Sequence, residues 1–203
     1  AYSFVSSVSF ASGQVIAMDG DSTHIFVLHR TDNNRYYMYT KASLLLTNNV
    51  IIPSDSAYIS TDIAVDSTYV YVNTLVGGVS YGLRMLKTSG SGTSFSSIFP
   101  VNGLAVDLNC LYLTSSSNER VDVYGISTLA FTDYFGAYGD TNGYLNLPSK
   151  LQVYDNKLYV VDIGNNRIQI FDWSDKVAPA APSNLTLACM AGEKIFVGWT
   201  DNS

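Results

Sequence analysis

The chain has 203 residues, of which 47% are apolar and only 14% are charged, and its net charge is −6. This balance argues against intrinsic disorder, which needs low hydrophobicity and high charge. The sequence has no basic tract that could follow nucleic-acid phosphates, and no apolar run reaches the roughly 18 residues of a membrane span. Two cysteines and two histidines are too few for a disulfide framework and leave little for a zinc site.

Short apolar runs rich in Val, Ile, Tyr and Phe predict β-strands along the whole chain, and no window has a helical period. Four units each contain an inner apolar run, a turn and a second run with a central aromatic residue. These aromatic residues are Phe26, Tyr71, Tyr112 and Tyr159. Their spacings of 45, 41 and 47 residues predict an all-β chain built as a β-propeller, with four visible four-stranded blades.

The remaining strands follow in chain order. The third strands are predicted at residues 35–39, 82–86 and 120–124, and residues 129–135 form the outer strand of the third unit. In the last unit Ile168 and Ile170 face one side of a strand, and Arg167 and Gln169 face the other. Residues 2–10 could supply the outer strand of the fourth unit and close the ring. The alternative is that further blades lie upstream.

The last unit resembles one known repeat. Residues 131–171 contain Phe135-Gly136, a Gly-Asp-Thr-Asn-Gly-Tyr-Leu-Asn-Leu-Pro run at 139–148, and Gly-Asn-Asn-Arg-Ile-Gln-Ile-Phe at 164–171. This stretch resembles an NHL repeat over about one blade length. The other three units resemble it loosely. The resemblance implies a ring of six blades.

A second resemblance begins after a Pro/Ala-rich segment. Residues 195–203, with Trp199 as a core tryptophan, resemble the second strand of a fibronectin type III module, an immunoglobulin-like β-sandwich that needs roughly 100 residues. We therefore expect a propeller at 1–174, a linker at 175–183 and a truncated module at 184–203. The sequence is expected to be a fragment of a longer polypeptide.

Three aspartates fall at similar places in the repeats: Asp19, Asp66 and Asp107. A ring of carboxylates could bind calcium. Alternatively, each aspartate ends a strand and caps the following turn, an interpretation that Tyr154 at the fourth place favours. For Asn165 and Arg167 we favour a structural role, with Arg167 bonding Asp162 or nearby backbone, over a binding role.

Catalysis, a metal and a cofactor are not expected. His24 and His29 are the only imidazoles, and they lie at opposite ends of one predicted strand. Hydrolytic or lyase chemistry needs several His, Asp or Glu residues that converge. A metal-dependent propeller lyase or hydrolase is kept as an alternative.

Recognition is expected on one face of the propeller. In a four-stranded antiparallel blade the loop between the second and third strands opens on the same face as the connection to the next blade. Loops held on a rigid scaffold commonly carry binding residues. The candidate ligand-binding residues are Arg30, Asp32, Asn73, Asn118, Tyr138 and Tyr144. They share no charge sign, so a protein or a neutral glycan suits them better than a polyanion.

These observations predict a non-catalytic, extracellular β-propeller scaffold within a multidomain protein, with a role in adhesion, display or assembly. Both resemblances imply a secreted or surface setting, and the low Lys content suits it. Self-assembly is a further expectation. The alternative, from a different class, is a structural component of a virus or phage particle, such as a tail or fibre protein.

Overall fold

The computed structural model describes residues 6–30, 35–52, 59–76, 79–96, 100–172, 183–190 and 194–200. The chain divides into two compact units, Ala1–Phe171 and Asp172–Ser203. Within the described residues the regular structure is β-strand, apart from one 3-10 turn at Ile163–Asn165. No helix in this part of the chain is long and apolar enough to cross a membrane.

The first unit contains four antiparallel sheets, each formed by strands in sequence order. The first sheet comprises β1 (Gln14–Gly20), β2 (His24–Arg30), β3 (Arg35–Thr40) and β4 (Leu46–Ile51). The second comprises β5 (Ile59–Val65), β6 (Tyr69–Val76), β7 (Val79–Leu86) and β8 (Gly92–Ser96). The third comprises β9 (Gly103–Val106), β10 (Cys110–Ser115), β11 (Arg120–Gly125) and β12 (Phe131–Phe135). The fourth comprises β13 (Pro148–Tyr154), β14 (Lys157–Asp162) and β15 (Arg167–Asp172).

These sheets are four blades of a β-propeller, as the repeat spacing predicts. The inner strands β1, β5, β9 and β13 contact one another in that order, and the second strand of each sheet contacts the inner strand of the next. The six blades that the NHL resemblance implies are not what the described residues form.

The second unit is described as one antiparallel pair, β16 (Ser183–Met190) and β17 (Lys194–Thr200). The run that contains Trp199 is a strand, as predicted. The fibronectin-type module itself stays a prediction. The predicted linker lies outside the described residues, except for Ser183.

Alternation along the strands places apolar side chains between neighbouring sheets. Phe26 and Leu28 of the first sheet are fully buried in one cluster with Ile63 and Val72 of the second. A second cluster joins the second and third sheets and includes Tyr71 and Leu111. Burying each large apolar side chain contributes roughly 1.5–3 kcal/mol, so this sheet-on-sheet packing dominates the stability of the fold.

Two carboxylates, the half-buried Asp19 and the buried Asp62, link the inner strands across the sheet boundaries. One oxygen of Asp19 in β1 accepts a hydrogen bond from the Val65 backbone N–H in β5, at 2.8 Å. Asp62 in β5 accepts one from the Leu104 N–H in β9, also at 2.8 Å. Burial raises the pKa of both carboxyls above the ordinary value of aspartate.

In the first three sheets an aspartate caps the turn after the inner strand. Asp66 accepts hydrogen bonds from the backbone N–H groups of Thr68 and Tyr69, and its second oxygen accepts one from the Tyr71 hydroxyl at 2.7 Å. Asp107 caps the equivalent turn of the third sheet and accepts the Tyr112 hydroxyl. The predicted turn-capping role is therefore confirmed for Asp66 and Asp107.

For Asp19 that prediction is wrong. The inner strand of the first sheet continues two residues further, so Asp21 occupies the equivalent place and accepts the N–H groups of Thr23 and His24. Phe26 has no hydroxyl to donate to Asp21. The Lys87 ammonium takes that role, at 2.5 Å from Asp21 Oδ2 and 5.0 Å from the centre of the Phe26 ring.

The predicted closing strand is not found in its described part. Residues 6–10 form no strand, and residues 2–5 lie outside the described residues. The ring of Phe10 stacks on His29, with centroids 4.5 Å apart, and meets Tyr37 edge-on. Phe10 therefore packs on the aromatic side chains of the first sheet.

We predict that Tyr71→Phe lowers the free energy of unfolding by about 1–2 kcal/mol, because the Asp66 carboxylate loses one hydrogen bond in a half-buried place. Urea denaturation followed by circular dichroism measures the change. Tyr159→Phe is the matched control, since its repeat has Tyr154 in place of the aspartate. Equal losses in the two variants would contradict the capping role.

Candidate functional site

Loops from neighbouring sheets meet on one face of the propeller, which we call the loop face. The Ser116 hydroxyl after β10 donates to Asn102 Oδ1 in the connection before β9, at 2.8 Å. In the next connection, the Leu147 N–H donates to the Glu119 carboxylate at 2.5 Å. These contacts confirm that the loops between second and third strands share a face with the connections between sheets.

The Asp162 carboxylate accepts hydrogen bonds from several segments of the loop face. Asp162 ends β14, is fully buried, and accepts hydrogen bonds from the Asn146 N–H, the Asn165 amide and Arg167 Nε, at 2.7, 2.9 and 2.8 Å. Burial acts to raise the pKa of Asp162, but these bonds and one from Gln169 hold it below the ordinary value. The carboxylate is therefore ionised and fully engaged at neutral pH.

Arg167 and Gln169 carry this network into the connection between the third and fourth sheets. Arg167 donates from its terminal nitrogens to the carbonyl oxygens of Asp140, Thr141 and Tyr144, at 2.7–2.8 Å. Gln169 donates to the same Tyr144 oxygen. The structural interpretation of the Asn-Arg-Ile-Gln motif is confirmed: its polar side chains fix the backbone of residues 139–147.

This fixed connection presents apolar side chains to solvent. Tyr138 is 73% exposed and Tyr144 is 47% exposed, and they are joined by Gly139, on which the Tyr144 ring packs. Leu147 and Ile163 are also exposed, on segments joined by the Gly164 N–H···O=C Asn146 hydrogen bond. We call Tyr138, Tyr144, Leu147 and Ile163 the loop-face patch. An apolar patch on a well-ordered surface is typical of an interaction site.

The other described candidates lie apart from one another and donate hydrogen bonds within the protein. Arg30 ends β2 and Asn73 lies inside β6, not in the loop where the sequence predicts it, while Asn118 lies in the turn between β10 and β11. Asn73 is only 1% exposed and donates to Thr61 Oγ1 and the Val101 carbonyl. Arg30 and Asn118 donate to the Ser60 carbonyl and the Ser115 hydroxyl. Asp32 lies outside the described residues. Of the six candidates, the structure therefore brings Tyr138 and Tyr144 together.

Sequence reasoning missed Leu147 and Ile163. Both are single apolar residues flanked by turn-forming residues, Asn146 before the first and Gly164 after the second. Leu145, two residues before Leu147 in the same segment, is fully buried. The sequence pattern alone therefore does not separate the exposed aliphatic residues from the buried one.

A cavity of about 450 Å³ lies between the inner strands. Its charged lining residues are Asp19, Asp62 and Lys150. Lys150 Nζ lies 3.0 Å from one oxygen of Asp62, whose other oxygen accepts the Leu104 N–H. Within the described ranges no group of three or more His, Cys, Asp or Glu side chains is placed to hold a metal ion.

No protein-family model and no curated protein sequence matches the chain. Solved structures do match, at low identity. The chain is 13% identical to the computationally designed Ika4 protein, with a TM-score of 0.55 over 82% of this chain and 95% of that one. It is 12% identical to Myxococcus xanthus glutaminyl cyclase, with a TM-score of 0.54 over 92% and 86%.

A third match is to the WD40 repeats of RRP9, at 15% identity and a TM-score of 0.55, over 81% of this chain and 52% of that one. The chain thus spans about half the length of several structures that it matches. At these identities the similarity establishes the propeller fold alone.

We predict that Arg167→Lys loosens the connection that carries the loop-face patch, because Lys cannot make the divergent bonds of a guanidinium. Amide hydrogen exchange over residues 139–147 should become about tenfold faster or more, as expected for the loss of one charge-assisted bond. Arg35→Lys is the control, since Arg35 bonds Asn49 in the first sheet. Unchanged exchange in Arg167→Lys would show that the network does not hold this segment.

Proposed function

We propose that this propeller is a non-catalytic scaffold that binds a partner protein through the loop-face patch. The observation that carries this proposal is an exposed patch of two aromatic and two aliphatic side chains on a backbone fixed by Asp162 and Arg167. A surface already held in its binding conformation loses less entropy on association.

The chemistry of the patch favours a protein over a glycan. Tyrosine rings stack on sugars and also anchor protein interfaces. The exposed Leu147 and Ile163 side chains add purely apolar area, which a polar sugar would not use. The four patch side chains carry no charge, so the partner surface is expected to be apolar at its centre, with a polar rim.

The titratable groups support a non-catalytic role. Asp62 in the cavity is engaged by Lys150 and by the Leu104 N–H. His24 and His29 lie at opposite ends of β2, and His29 is buried beneath Phe10. General acid–base catalysis needs such groups within reach of one reacting atom.

An extracellular, multidomain setting belongs to the same proposal. Its support is compositional: only 14% of the residues are charged, and the chain has 11 lysines and arginines in total. The second compact unit that follows Phe171 is consistent with a chain of several modules. Display or adhesion through the loop face would then be the role of the propeller.

A peptide library displayed on phage tests the binding proposal. The chain is immobilised, the library is selected against it, and the enriched peptides are measured by surface plasmon resonance. We expect apolar peptides whose affinity falls about tenfold or more for Tyr144→Ala and for Ile163→Ala, as at interface hot spots.

Tyr154→Ala is the matched control, because Tyr154 is a tyrosine even more exposed than Tyr144 but lies at the β13–β14 turn, away from the loop face. It should leave the affinity unchanged. Peptides that bind all three variants equally would place the binding surface elsewhere. Binding to an array of neutral glycans, lost in Tyr144→Ala but not in Ile163→Ala, would replace the protein partner with a sugar.

A further inference from the structure

The chain has two Asn-Gly pairs, Asn102–Gly103 and Asn142–Gly143, and such pairs are where spontaneous deamidation meets the least steric hindrance. In this reaction the backbone nitrogen of the glycine attacks Cγ of the asparagine side chain. Glycine has no Cβ to obstruct the approach and leaves the backbone free to turn. The structure places the two pairs in opposite settings.

The first pair is held at the start of a strand. Gly103 begins β9, is buried and pairs with Thr114, and the Asn102 backbone N–H donates to the Thr114 carbonyl at 3.0 Å. The Asn102 side-chain oxygen accepts the Ser116 hydroxyl at 2.8 Å. A Cβ atom on Gly103 would collide with the Ser149 carbonyl oxygen, so the surroundings of this pair leave no room for a ring to close.

The second pair forms the tip of a turn in the connection that carries the loop-face patch. The Tyr144 N–H donates to the Thr141 carbonyl at 3.1 Å, so Asn142 and Gly143 are the central residues of this turn, and both are exposed. Gly143 has a φ of +86°, which favours glycine at this position. No atom beyond the adjoining residues lies within 4 Å of the place where its Cβ would be. The space that the reaction needs is therefore open.

One side chain holds the attacking nitrogen of this pair. The Gly143 N–H donates to Gln169 Oε1 at 2.9 Å, and the Gln169 amide nitrogen donates to the Tyr144 carbonyl on the far side of the turn. Ring closure requires the Gly143 nitrogen to lose its proton and the peptide plane between Asn142 and Gly143 to rotate. Both changes break the hydrogen bond to Gln169.

We propose that Asn142 is a site of spontaneous deamidation and that Gln169 sets its rate. The Gly143 nitrogen forms a bond to Asn142 Cγ, the bond from Cγ to the side-chain nitrogen breaks, and ammonia leaves with the proton from Gly143. One water molecule then opens the resulting succinimide at either of its carbonyl groups. The products are aspartate and isoaspartate, and the reaction needs no oxidant and no cofactor.

The modification changes the backbone on which the loop-face patch lies. Isoaspartate inserts one methylene group into the main chain between Thr141 and Tyr144. The carbonyl oxygens of these two residues both accept a hydrogen bond from Arg167 at 2.8 Å, so a changed spacing weakens these bonds. Either product also adds one negative charge to the turn. A loss of partner binding in aged protein rests on the proposed function, whereas the deamidation itself is measured without a partner.

Peptide mass spectrometry of incubated protein tests the proposal. Folded wild-type protein is kept at physiological temperature for several weeks, samples are digested, and isoaspartate is labelled with an isoaspartate-specific methyltransferase. We expect the products at Asn142 and none at Asn102. In concentrated urea the two sites should react at similar rates, because the fold no longer distinguishes them. Equal rates at both sites in the folded protein, or no product at Asn142, would overturn the proposal.

Gln169→Leu should speed the reaction at Asn142 about three- to tenfold, the range expected for the loss of one hydrogen bond, and leave Asn102 unreactive. Arg35→Lys is the control, since Arg35 lies in the first sheet, and it should keep the wild-type rate. An unchanged rate in Gln169→Leu would overturn the role of Gln169. Amide hydrogen exchange of Gly143 in the wild-type protein is a second measurement that needs no variant to fold. Protection of this amide is expected, and exchange as fast as in an unstructured peptide would contradict that role.

Discussion

The need of each sheet to bury two faces governs this structure. An alternating strand with apolar residues on both sides is stable only when a second layer covers each side. Phe26 and Leu28 of the first sheet pack with Ile63 of the second, and Tyr71 of the second sheet packs with Leu111 of the third. Four similar sheets stacked about one axis follow from it.

Carboxylates perform three distinct tasks around that packing. Asp66 and Asp107 cap turns, and Asp19 and Asp62 join inner strands across sheets. Asp162 accepts the hydrogen bonds that hold the loop-face segments together. Their environments push their pKa values in opposite directions. Burial raises the pKa of Asp19 and Asp62, whereas converging donors lower that of Asp162. Aspartate therefore has several structural roles in this chain, because each carboxylate accepts hydrogen bonds from a different set of backbone N–H groups.

Much of the fold could be predicted because its signals are local and repeated. The aromatic spacing identified four blades, and the alternation of Arg167 with Ile168 correctly separated two faces of a strand. The features that depend on contacts between distant residues could not be predicted. In the sequence Asp19 was placed at the same repeat position as Asp66, because the two extra residues of β1 cannot be recognised without the contact between Asp19 and Val65. The burial of Asn73 likewise depends on a distant group, the Val101 carbonyl in the next connection. The position of Tyr138 and Tyr144 in a long connection was enough to predict that they lie on the loop face. The exposure of Leu147 and Ile163 there became visible only with the backbone contacts around them.

The close approach of inner strands provides the most direct test of the stacked-sheet account. A Cβ atom on Gly103 of β9 would collide with the Ser149 carbonyl oxygen of β13 and lie 3.0 Å from Lys150 Cα, whereas one on Gly125 of β11 would come no closer than 3.3 Å to the Thr128 hydroxyl. Chemical denaturation of Gly103→Ala and Gly125→Ala measures the difference. The account predicts a loss of about 1–3 kcal/mol for Gly103→Ala, as for overpacking, and a smaller effect for Gly125→Ala. Equal stability of the two variants would mean that β9 and β13 do not meet backbone to backbone, and would contradict the arrangement of the sheets around one axis.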